Sequence, residues 1–150
     1  MSIQARKLKG LAVVAALTVI SASYVYADLK EERVSLVVDK LVSVYESRQA
    51  DMVLELLSEN ISNPSGLEKS LRDEYDRYHS IEVMAIYGPI LIRGDTASVK
   101  LKWYKKRIEK KTGSYERTEG EVTLYFRLES GDYKLIRQEG KGFLPEPFLN

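Results

Sequence analysis

Cysteine is absent from the sequence, so no disulfide framework, thiolate metal site or cysteine nucleophile is available. A single histidine, His79, leaves no ligand set for a structural zinc, and the expectation is a protein with no metal and no cofactor. Charge of one sign is not in excess: 23 Lys and Arg face 22 Asp and Glu, a net charge of +1. That balance removes the general electrostatic reason to expect nucleic acid as a partner. At 44% hydrophobic and 30% charged residues, the chain is neither disordered nor a multi-span membrane protein. Its 150 residues are the length of one domain.

The first 27 residues divide into three zones. Arg6, Lys7 and Lys9 are positive, with no acid before Asp28; Leu11 to Ile20 is apolar apart from Thr18; Ser21 to Ala27 is smaller and more polar. This order is that of a secretory signal peptide, with cleavage after Ala27. The alternative is an uncleaved anchor over Leu11 to Ala27, at the short end of a membrane span, against which Thr18, Ser21 and Ser23 argue. Cleavage leaves a single domain, residues 28–150, with a net charge of −2. Such a chain is long enough to bury a core without disulfides. Export without any cysteine is more typical of a bacterial envelope protein than of a small animal secreted domain, so the expected location is the periplasm or the medium.

Helical periodicity comes first along this domain. Val34, Val37, Val38, Leu41, Val44 and Tyr45 form one stripe between Glu31 and Arg48. Asp51 is placed to cap a shorter helix through Met52, Val53, Leu56 and Leu57. After a loop holding Asn60, Asn63, Pro64 and Gly66, Ser65 and Glu68 have the spacing of a capping box. Leu67, Leu71, Tyr75 and Tyr78 then predict a third helix ending near His79. From Ser80 the period becomes two. Ile81 to Tyr87 reads as a strand stopped by Gly88-Pro89, with a short run Ile90 to Arg93 beyond it. Ala97, Val99, Leu101 and Trp103 alternate with Ser98, Lys100, Lys102 and Tyr104. Val122, Leu124, Phe126 and Leu128 alternate likewise, and Tyr133 to Gln138 is the last strand. Gly94-Asp95 and Ser130-Gly131-Asp132 are turns. Helices followed by an antiparallel meander define an α+β fold, the helices covering one face of a curved sheet.

Three segments carry a family resemblance. They are V-S-V-Y-E-S-R-Q-A-D-M at the end of the first helix, the strand R-G-D-T-A-S-V-K-L-K-W-Y, and the closing hairpin L-Y-F-R-L-E-S-G-D-Y-K-L-I-R. Together with the element order, from Glu31 to Phe143, the chain resembles the nuclear-transport-factor-2-like superfamily, a cystatin-like α+β cone. The resemblance implies a conical pocket between sheet and helices. It does not choose among the isomerases, dehydratases, binders and assembly modules built on that fold.

The residues themselves offer three candidate features. An isomerase-like site needs a carboxylate to move a proton and donors to stabilise an enolate. The clean strands turn no acid inward, Glu82 is expected to face solvent, and Asp39 and Glu46 lie off the helical stripe, so no catalytic residue is assigned. His79 has no carboxylate partner in sequence and suits a helix C-terminus. Tyr45, Tyr75, Tyr78, Trp103 and Phe126 fall on inward faces, either as core or as the aromatic lining of a pocket for a small apolar ligand. Charge divides along the chain: residues 28–82 carry net −6 and residues 83–150 net +4. Lys100, Lys102, Lys105, Lys106, Arg107, Lys110 and Lys111 form the densest basic patch. It is either a solvated strand face that resists edge pairing or a surface docking on an anionic membrane or an acidic envelope protein. Self-association as a homodimer is a further partnership left open. The expected function is an exported, non-catalytic binding or assembly module of the bacterial envelope; the alternative is a small isomerase- or dehydratase-like enzyme of the same superfamily.

Overall fold

The computed structural model describes residues 28–146; the signal-peptide expectation falls on residues 1–27, outside the described residues. The chain is helical from residue 28 to residue 46 (α1), and then forms α2 (Ala50–Glu55) and α3 (Pro64–Arg77). Four strands follow: β1 (Tyr78–Arg93), β2 (Thr96–Glu109), β3 (Tyr115–Glu129) and β4 (Asp132–Gly140). They pair in sequence order β1-β2-β3-β4, every pair antiparallel. The curved sheet under three helices is the expected α+β cone. Among the described residues no helix is long and apolar enough to cross a membrane.

The two periodicities meet in one core. Val34, Val38, Leu41, Val44 and Tyr45 of α1 are buried, as are Leu67, Leu71 and Tyr75 of α3. They face Ala97, Val99, Leu101 and Trp103 of β2 and Val122, Leu124 and Phe126 of β3. Each fully buried Leu or Val contributes about 1.5–3 kcal/mol relative to exposure. After β4 the chain turns under the sheet at Gly140, and Phe143 and Leu144 join the core at 0% and 3% exposure. Gly140 has φ +92°, and a Cβ there would stand 2.7 Å from the Glu121 carbonyl oxygen. Only glycine fits this bend.

Local details differ from the sequence expectation in three places. The N-cap of α3 is Asn63, whose side chain accepts a hydrogen bond from the Gly66 amide at 3.0 Å. Pro64 takes the first helical position, which needs no amide hydrogen, and so moves the start ahead of the Ser65–Glu68 spacing. Asp51 lies in the first turn of α2, where Gln49 is the N-cap without a side-chain bond; Asp51 pairs instead with Arg72 at 2.8 Å. Gly88-Pro89 does not end a strand. It occupies an irregularity between Tyr87 and Ile90 in one 16-residue β1, where proline is tolerated because β1 is an edge.

Candidate functional site

The inward face of β2 does not end at Trp103. No irregularity interrupts the β2–β3 register, so the alternation that buries Ala97, Val99, Leu101 and Trp103 also turns Lys105 and Arg107 inward. Lys105 is 7% exposed. Its expected place in an exposed basic patch is therefore corrected, and that of Arg107, whose side chain is 18% exposed, with it. Such charges are tolerated inside only with partners. Glu74 supplies the carboxylate: it lies on the α3 stripe with Leu67, Leu71 and Tyr75 and is 8% exposed.

The geometry is dense. Tyr45 donates its hydroxyl to Glu74 Oε2 at 2.6 Å. Glu74 Oε1 accepts from Lys105 Nζ at 3.2 Å and from Arg107 at 2.8 Å. Lys105 Nζ also donates to the Tyr45 hydroxyl at 3.0 Å and to the Phe143 carbonyl at 2.8 Å. Arg107 continues to Glu116 at 2.8 Å, and Tyr78 donates to the same carboxylate at 2.9 Å. Burial raises the Tyr45 phenol well above its usual range, and the Glu74 carboxylate adds to the shift. Burial lowers the Lys105 ammonium, against the pull of Glu74. The Tyr75 phenol is likewise raised by burial, and its hydroxyl is buried without a hydrogen-bond partner.

The C-terminal segment seals this cluster. Trp103 Nε1 donates to the Lys141 carbonyl at 2.6 Å, and the Phe143 ring packs edge-on against Tyr45 with centroids 5.8 Å apart. Both Glu74 oxygens are engaged, and the Phe143 ring lies against Tyr45 beside them. Among the described residues, no cluster of histidine and carboxylates could hold a metal ion.

Of the five aromatics singled out from sequence, four come together here. Tyr45 and Tyr75 rings are 6.0 Å apart, Lys105 lies over the Trp103 ring at 5.9 Å, and Arg107 stacks on Tyr78 at 4.4 Å. Phe126 does not join them. It pairs with Ala97, six positions along β2 from Trp103, which at the strand rise is roughly 20 Å away. The remaining basic residues are exposed: Lys100 pairs with Glu121 at 3.1 Å, Lys106 with Glu82 at 3.7 Å, Lys102 lies over Tyr104, and Lys110 and Lys111 are at the β2–β3 turn. His79 is exposed at the start of β1, its Nδ1 3.1 Å from the Ile108 carbonyl. Glu82 and Asp39 face solvent, and Glu46 accepts the Val83 amide.

Sequence reasoning missed Glu74 and the inward cations, although the signal was present. Positions 67, 71, 74, 75 and 78 are one helical stripe, and 105 and 107 share the parity of 103.

No protein-family model matches the chain, and no curated protein matches it in sequence. Solved structures do. A conserved protein from Planctomyces limnophilus superposes with a TM-score of 0.70 at 15% identity, over 74% of this chain and 94% of that one. A nuclear-transport-factor-2-like superfamily protein from Salmonella enterica gives 0.66 at 9% identity, over 78% and 92%. A scytalone-dehydratase-like protein from Novosphingobium aromaticivorans gives 0.70 at 10% identity, over 75% and 83%. The chain therefore has the nuclear-transport-factor-2-like fold. These likenesses carry the architecture and no activity.

Proposed function

We propose that the protein is an exported, non-catalytic binding or assembly module of the bacterial cell envelope. The observation that supports this most is the sealed cone: Phe143 rests on Tyr45 and gives its carbonyl to Lys105. The only buried carboxylate among the described residues, Glu74, is bonded to Tyr45, Lys105 and Arg107. A general base must reach a substrate proton within hydrogen-bond distance, and Glu74 presents no free oxygen to a ligand. The export element of the reading rests on the charged, apolar and small-residue zones of residues 1–27.

The enzymatic alternative draws on the Tyr45–Glu74 contact and the unpartnered Tyr75 hydroxyl. It requires the segment from Lys141 to Leu144 to leave the cone and admit a small apolar substrate between the aromatics. The two readings separate in heavy water. The wild-type protein is incubated with enolisable ketones and followed by mass spectrometry. With a non-catalytic module present, the ketones gain deuterium no faster than the uncatalysed background. Incorporation that Glu74→Gln abolishes refutes the non-catalytic reading in favour of an isomerase-like enzyme. Export is tested by the intact mass of protein recovered from the periplasm, expected to begin at Asp28; retention of residues 1–27 refutes cleavage.

A further inference from the structure

The sheet closes its edges unevenly. On β4, the Ser58 amide donates to the Leu135 carbonyl at 2.9 Å and the Leu135 amide to the Leu56 carbonyl at 2.9 Å, pairing that edge at Leu135. On β1, the Glu46 carboxylate caps the Val83 amide, and Gly88-Pro89 breaks the ladder. β3 is different. β4 ends with Gly140 opposite Val122, the Lys141 amide takes the Glu121 carbonyl at 2.9 Å, and the chain then turns under the sheet. Upstream of that point β3 has no neighbour on this side among the described residues. Because backbone groups alternate sides along an antiparallel strand, the Glu121 carbonyl fixes the direction of the others. The amides and carbonyls of Tyr115, Arg117 and Glu119 point outward from the free edge. Among the described residues no proline, bulge or covering segment protects them, and only charged side chains blunt this stretch.

A groove of about 700 Å³ runs beside this edge, across the outer face of β1, β2 and β3. Met84, 60% exposed, and Tyr104 make its floor. Lys106, Arg117 and Lys141 line it against a single acid, Glu119. Arg117 and Lys141 are in no ion pair among the described residues: Arg117 donates from Nε to the Tyr115 hydroxyl at 2.8 Å and lies over that ring at 5.1 Å, and Lys141 lies over the Trp103 ring at 5.8 Å. Free backbone donors and acceptors, an apolar floor and surplus positive charge are the three components of strand-addition recognition of an acidic peptide.

A second copy of this chain fits less well. The two-fold antiparallel register that uses the whole free edge sets Arg117 directly against its own copy, and like charges opposed in this way are destabilising. Shifting the register to bring Arg117 to Glu119 places Tyr115 on Glu121, whose carbonyl Lys141 already occupies.

We infer that the free edge of β3 from Tyr115 to Glu119 is a docking site for an extended acidic peptide segment, which adds as a fifth strand. This names a partner class for the binding module proposed above and rests on that reading.

The test uses a fluorescein-labelled synthetic peptide alternating Glu with Val, and a control with Lys in place of Glu. Anisotropy is expected to show saturable binding of the acidic peptide alone, weakening about tenfold as ionic strength rises from ~0.01 M to ~0.15 M. Hydrogen exchange at the Tyr115, Arg117 and Glu119 amides is expected to slow on binding. Arg117→Pro removes an amide that faces away from β2, so binding should be lost with the circular dichroism unchanged. Arg117→Glu should weaken it at least tenfold with every backbone group in place. Absence of saturable binding, equal binding of the basic control, or indifference to Arg117→Glu overturns the site. Self-association that protects the same three amides overturns the acidic partner in favour of a homodimer. A failure here leaves the deuterium experiment untouched, so the two readings fail separately.

Discussion

Glu74→Gln is the substitution that asks most of the structure. It keeps the shape of the side chain while removing the charge shared by Lys105 and Arg107. The wild-type carboxylate accepts three hydrogen bonds, at 2.6, 3.2 and 2.8 Å, within a cluster where Glu74 and Lys105 side chains are each 7% exposed. Breaking one partner out of a buried ion pair costs about 3–5 kcal/mol, because a charge is left inside without compensation. Glu74→Gln should fall in that range, since it leaves two cations side by side. Lys105→Met should cost less, about 1–3 kcal/mol, because Glu74 keeps Arg107 and Tyr45 and the main loss is the donor to the Phe143 carbonyl. The double variant removes one charge of each sign and should be more stable than the sum of the two single losses by about 1–3 kcal/mol. Urea unfolding followed by the fluorescence of Trp103, the one tryptophan in the chain, measures all four corners of the cycle. A Glu74→Gln loss below about 1 kcal/mol, or additive single effects, would falsify the coupled ionic cluster.

The same cycle has a pH signature. Burial holds the folded-state affinity of Lys105 for its proton below the ordinary lysine value, so below that value the unfolded chain binds more protons and stability rises with pH. The destabilisation caused by Lys105→Met should therefore grow toward alkaline pH, up to the ordinary lysine range; a constant difference refutes the burial. Trp103→Ala should cost about 3–5 kcal/mol, since the ring is 1% exposed and anchors the Lys141 carbonyl; calorimetry giving a change within about 0.5 kcal/mol refutes the register of β2. Phe143→Ala should also cost about 3–5 kcal/mol and speed exchange of the Lys141 amide, whereas a neutral result means the segment is not part of the core. Asn63→Ala should lose about 1 kcal/mol through the α3 cap, read as a lowered Tm.

The fold was legible because its elements obey clean periods. The stripe of α1 and the alternation of β2 and β3 follow from which residues are apolar, and a shift of one position would expose the whole set. The candidate site was harder to read for a physical reason. Lys105 and Arg107 are charged, and taken with Lys100, Lys102 and Lys106 they look like one solvated patch, yet parity separates the odd positions from the even. Their burial depends on Glu74, 31 residues before Lys105, and no local pattern announces a partner at that distance. Phe143 was hidden in the same way, inside a short segment with Pro145 and Pro147 that lacks any period.

The seating of Phe143 on Tyr45 also orders events in time. The hairpins of the sheet join neighbours in sequence and form early, since short loops close quickly. The contact between α1 and residue 143 spans 98 positions. A ribosome delivers Tyr45 long before Phe143, at about 5–20 residues per second, so for several seconds the helices exist without the segment that closes over Tyr45. During that interval Glu74 is hydrated, and a chaperone has access to the apolar stripes of α1 and α3.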